Sequence, residues 1–147
     1  MTLDEIVRMF SEVRADDVMR TVAARFDERH VRYAVIGDIP RVGACVDVAI
    51  ERSARKDAID LIESLGYPTI LDCTGQSHHM RGIVWLRLHY VDSRTFDSLL
   101  AGSTREDVVV VANDIDDATL RALLRESACD LPPSREITPP DAEPFVL

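Results

Sequence analysis

The sequence predicts an α+β (mixed α/β) domain in which a mixed sheet of about five strands is flanked by helices. Short runs rich in β-branched residues, each bounded by Gly, Pro or Asp, supply the strands. Apolar residues at helical spacing recur between most of those runs. Between residues 67 and 92, however, two strand-like runs follow one another with no room for a helix, which breaks the strict alternation of a doubly wound sheet.

Taken in order, Thr2 and Glu5 form a capping box, and Ile6, Val7, Phe10 and Val13 continue at helical spacing. Asp16 or Asp17 can cap a second helix with Val18, Val22 and Phe26 on its apolar face, unless the two are one bent helix ending near residue 29. Tyr33–Ile36 reads as a buried strand stopped by Gly37. Residues 44–50 alternate, with Val46, Val48 and Ile50 on one side and Cys45, Asp47 and Ala49 on the other. Ser53 can cap a helix over about residues 54–65, closed by Gly66. Thr69–Cys73 reads as a strand, Thr74–Arg81 as a polar loop and Gly82–Asp92 as a long strand, together a hairpin with an enlarged connection. In the long strand Val84, Leu86, Leu88 and Tyr90 share one face, and Trp85, Arg87 and His89 the other. Ser93 caps a short helix carrying Phe96, Leu99 and Leu100, Val108–Ala112 is a further buried strand, and Asp116 or Asp117 opens a last helix. Five of the seven prolines fall after residue 130, so residues 1–131 are read as the domain and 132–147 as an extended tail.

Composition excludes several function classes. A net charge of −9 repels phosphate backbones and anionic lipid, which argues against bulk nucleic-acid binding. No Gly-x-x-x-x-Gly-Lys occurs, and Lys56 is the sole lysine, so no P-loop is present. The three cysteines are odd in number and lack Cys-x-x-Cys spacing, which argues against a disulfide framework or a zinc ribbon. The acidic N-terminus and the lack of a long apolar run point to a cytoplasmic protein with no membrane partner.

Residues 33–50, YAVIGDIPRVGACVDVAI, resemble the nucleotidyltransferase fold of the DNA polymerase beta superfamily, in particular its small bacterial stand-alone members. There a helix leads into an apolar strand, a Gly-Gly or Gly-Ser turn, a short helix and then Arg-x-Thr-x-Asp-x-Asp on the next strand. Gly37-Asp38 stands at the turn, Arg41 at the arginine and Asp47 at the second aspartate. Leu65-Gly66-Tyr67 is similar to the close of the family's next helix, and HHMRGIVWLRLHY to the strand that carries its third carboxylate. The likeness covers roughly residues 20–100. It implies nucleotidyl transfer from an NTP with Mg²⁺, Asp47 as metal ligand, Asp38 as a second catalytic acid, and Gly37, Asp38 and Arg41 around the nucleotide.

The departures decide how that resemblance is read. Two Mg²⁺ ions need paired carboxylates, yet Cys45 stands at the first aspartate and Arg87 at the third. Magnesium avoids sulfur, and Asp38 puts a negative side chain where backbone N–H groups would receive phosphate. The expectation is a catalytically degenerate nucleotidyltransferase-like protein acting in binding or regulation, with a nucleotide or small molecule, a protein or a second copy of the chain as partner. If Asp47 and Arg87 lie on adjacent strands, an ion pair between them would replace the metal structurally. The alternatives are an active Mg²⁺-dependent nucleotidyltransferase and a small α/β interaction module unrelated to nucleotides. A zinc site of Cys73, His78, His79 and His89 lacks chelating spacing, and His78 and His79 fall in the polar loop.

Overall fold

The computed structural model describes residues 2–36 and 44–129. At the start of the chain the Thr2 hydroxyl accepts from the Glu5 amide (3.1 Å) and the Glu5 carboxylate accepts from the Thr2 amide (3.0 Å), so the capping box forms as expected. The helix it opens, α1 (Leu3–Glu28), is a single helix of 26 residues. No Gly or Pro interrupts it, and an Asp pair costs too little to stop a helix that the sheet supports.

Strand β1 (Tyr33–Ile36) has the expected bounds and is buried throughout, and β2 (Ala44–Glu51) follows. A single 3₁₀ turn (Arg52–Ala54) leads into α2 (Arg55–Ser64), so Ser53 does not cap; Ala54 holds the cap position without a side-chain bond. Beyond it run β3 (Thr69–Cys73), β4 (Gln76–Arg81) and β5 (Val84–Val91). The helix α3 (Ser93–Ala101) is capped by Asp92 rather than Ser93, and β6 (Ser103–Glu106) and β7 (Val109–Ala112) precede α4 (Asp117–Glu126), capped by Asp116.

Among the described residues the strands form one mixed sheet of seven in the order β3-β4-β5-β2-β1-β7-β6, which corrects the expected count of about five while keeping the α+β class. Two strands escaped the sequence because neither shows apolar alternation. QSHHMR, expected as a loop, is β4, whose backbone is paired on both sides and whose inward polar groups bond to one another. STRE is β6, a solvated edge strand. The hairpin therefore lies between β4 and β5, turning at Gly82 with φ +62°, a conformation that favours glycine.

Pairs β2/β5 and β1/β7 are parallel and all other neighbours antiparallel. On one face Val46, Val48, Ile50, Leu86, Leu88 and Tyr90 pack beneath α1 and α2. On the other, Ala49 and Val91 pack with Phe96 and Leu99 of α3 and Leu123 of α4. Alternation within β2 and β5 thus sorts side chains to faces as the sequence predicts.

Cys73 and Cys129 form a disulfide across 56 residues, Cα to Cα 5.3 Å. It is one clamp and not the framework that the cysteine count argues against, and it is set by tertiary proximity that spacing does not reveal. It ties β3 to the segment just after α4. At the same place Gly75 admits no side chain, because a Cβ would come within 2.5 Å of the Ser127 carbonyl carbon. Among the described residues no helix is long and apolar enough to cross a membrane.

Candidate functional site

Three adjacent strands present a grid of side chains on the sheet face that carries Asp47. Parallel register sets Cys45 beside Trp85, Asp47 beside Arg87 and Ala49 beside His89. Antiparallel register then sets Met80 beside Trp85, His78 beside Arg87 and Gln76 beside His89. Since cross-strand partners share a face, period-two alternation alone gathers a thiol, a carboxylate, a guanidinium, an indole and two imidazoles.

Asp47 is the centre of this grid and is 2% exposed, which excludes a solvated surface acid. Arg87 grips it with two bonds, Nε to Oδ1 at 2.7 Å and Nη2 to Oδ2 at 3.0 Å. His89 Nε2 lies 2.8 Å from the same Oδ1. On the other side of the ring, His89 Nδ1 lies 3.2 Å from the Ser127 hydroxyl, within hydrogen-bond distance. Burial pushes the Asp47 carboxyl up, but the hydrogen bonds from His89 and Arg87 outweigh it and hold the group below the ordinary carboxylate value. The Arg87 guanidinium is raised by its bonds to Asp47. The ion pair that adjacency of these strands was expected to allow is therefore present, buried on the acid side and 26% exposed on the arginine side.

This donor set does not fit a magnesium pair. Three N–H groups occupy an acid that has about four acceptor directions. Its neighbours are a buried thiol, Cys45, a cation, Arg87, and an imidazole, His89, none of which is a hard anionic oxygen. Among the described residues no three His, Cys, Asp or Glu side chains cluster to hold a metal ion. Of the other residues that the resemblance assigns, Gly37, Asp38 and Arg41 lie outside the described residues.

His78 and His79 are on β4, which corrects their placement in a loop, while His89 is on β5 as expected. His78 faces the grid, where its Nε2 meets Gln76 Oε1 at 2.7 Å. His79 points to the opposite face and is fully buried, with Nε2 at 2.8 Å from Ser77 Oγ and Nδ1 at 3.2 Å from Thr69 Oγ1. Ser77 in turn meets the Tyr90 hydroxyl at 2.6 Å, and burial pushes that phenol up to about 12. Burial lowers both His78 and His79, so both rings favour the neutral form.

Ser127 and Gln76 are the members of the site that pattern reading misses; His89 is placed on the Arg87 side of β5 as expected, but its bond to Asp47 is not foreseen, and Ser127 arrives only through the packing of α4. Neither a protein-family model nor a curated protein sequence matches the chain.

Proposed function

We propose that the chain is a nucleotidyltransferase-like domain that has exchanged its metal-binding carboxylates for an internal ion pair and acts in binding or regulation. The observation that carries this reading is the cross-strand Asp47–Arg87 pair. In the family the strand with the third acid must lie beside the strand with the second motif, and β5 lies beside β2 in register. Chain order supports the same reading: a long helix, an apolar strand, the Asp47 strand, and a helix closed by Leu65-Gly66-Tyr67 with Gly66 at φ +93°. Arg87 then delivers to Asp47 a fixed charge where a transferase needs a removable divalent cation.

Calorimetric titration of Mg²⁺ with each of the four common NTPs tests this. The expected result is no heat that depends on magnesium. Saturable Mg²⁺-dependent binding that disappears in Asp47→Ala would overturn the reading and restore an active transferase.

A further inference from the structure

The bridge between Cys73 and Cys129 closes one end of the grid, and its two sides are held unequally. Arg55 pins the Cys73 side: its guanidinium donates to the carbonyls of Cys73 and Thr74, each at 3.1 Å, and to the Asp72 carboxylate. Strand β3 is also paired with β4 from Thr69 to Cys73. The Cys129 side lies just past the end of α4, where Ala128 and Cys129 make no hydrogen bond with another described residue.

Between the end of α4 and Cys129 stands Ser127, which is 1% exposed. Its hydroxyl lies 3.2 Å from His89 Nδ1, and its carbonyl accepts from Gln76 Nε2 at 2.7 Å. His89 Nε2 lies 2.8 Å from Asp47 Oδ1, so Ser127 closes the far end of a line that runs through the imidazole to the buried acid. Gly75 lets the segment come this close, since no side chain fits between it and the Ser127 backbone.

The two hydrogen bonds to the sheet hold so short a segment weakly, because each is worth little net against water and a terminal helical turn frays readily. The disulfide supplies the missing tether, and that tether is removable. Cys129 is partly exposed, while Cys73 is 7% exposed, so the Cys129 sulfur is the one open to attack. A thiolate of a dithiol reductant bonds to that sulfur, the S–S bond breaks, and Cys73 leaves as a thiolate that takes up a proton. The reductant's second thiol then attacks the mixed disulfide, frees Cys129 as a thiol and closes the reductant's own disulfide. Two electrons and two protons thereby pass to the cysteine pair.

We propose that the Cys73–Cys129 bridge is a redox latch on the Asp47 face. Oxidised, it holds Ser127 against His89; reduced by a dithiol, it lets the end of α4 leave β4 and opens the His89 edge of the ion pair. The latch rests on the reading of this face as a binding rather than a catalytic surface, and it supplies the regulation of that surface.

The full-length protein, either oxidised or reduced with dithiothreitol and desalted without oxygen, is treated briefly with diethyl pyrocarbonate in buffer without denaturant. Carbethoxylation is then read at each histidine by tandem mass spectrometry. His30 is exposed and serves as the internal standard, and His79, fully buried on the opposite face, reports on the fold as a whole. In the oxidised protein His89, which is 4% exposed, should react slowly. After reduction its rate relative to His30 should rise about tenfold or more, while that of His79 stays within about twofold. Cys129→Ser should match the reduced protein and should not respond to dithiothreitol; the wild-type comparison stands without it if the variant does not fold. A His89 rate that does not rise, a rise shared by His79, a folded Cys129→Ser as protected as the oxidised protein, or a bridge that resists dithiothreitol overturns the latch. Magnesium-dependent NTP binding would sink the lost-metal reading in either redox state, whereas an unresponsive His89 sinks only the latch.

Discussion

Truncating Asp47 to Ala removes a carboxylate that is 2% exposed and accepts three N–H bonds, and strands the cation it neutralises. Breaking a buried pair from one side costs about 3–5 kcal/mol. Arg87 keeps 26% of its side chain in solvent and can recover some hydration, so the lower end, about 3 kcal/mol, applies. Arg87→Met leaves Asp47 with His89 as its remaining donor among the described residues and should cost about 2–3 kcal/mol. Removing both charges together, as Asp47→Ala with Arg87→Met, leaves no stranded ion and should cost only about 1 kcal/mol, a coupling of about 4 kcal/mol. In urea, with a slope of about 1.5 kcal/mol per molar, the first variant should lower the midpoint by about 2 M and the double variant by less than about 1 M. A double variant as unstable as the two single ones summed would refute the claim that these groups exist to satisfy each other.

Further outcomes follow from the same contacts. The Asp47 carboxyl is held below its ordinary value, so its contribution is full above the unfolded-state value of about 3.9 and is lost as pH falls through the lower folded one; acid unfolding should lose that slope in Asp47→Ala. His78 and His79 are lowered as well, so unfolded chains take up protons first; the melting temperature should fall as pH drops below about 6.5, and less so in His79→Gln. Reducing the Cys73–Cys129 bridge, which spans 56 residues, should cost about 4 kcal/mol of stability by the chain-entropy estimate, read as a lower urea midpoint in dithiothreitol. Gly75→Ala drives a methyl into the backbone at Ser127 and Ala128 and should cost about 1–3 kcal/mol in the same assay.

The sequence discloses most of the frame. Strong periodicity located α1, β1, β2, β3, β5 and α4, and the parity of β2 and β5 assigned Asp47 and Arg87 to one face. Hidden features share a cause: their stability comes from partners distant in the chain. β4 is a strand because β3 and β5 pair with it on both edges, not because QSHHMR favours extension. Ser127 reaches His89 only after α4 has packed on Phe96 and Leu99, and Cys129 reaches Cys73 the same way. Within the site, sequence shows a thiol at Cys45 and a guanidinium at Arg87 beside the single carboxylate Asp47. It does not expose that His89 adds a third bond to Asp47, because which strand β5 pairs with is a property of the whole sheet.

The account depends on Asp47 being committed to Arg87 and His89. Paramagnetic Mn²⁺, which takes the oxygen ligands of Mg²⁺, tests that directly when titrated with and without ATP while amide and side-chain N–H resonances are followed. The account predicts only diffuse broadening at exposed carboxylates such as Asp60 and Asp97, with the Asp47 amide, the Arg87 Nε–H and the His89 ring left sharp. Selective loss of those three signals at low Mn²⁺ would place a metal on Asp47 and contradict it.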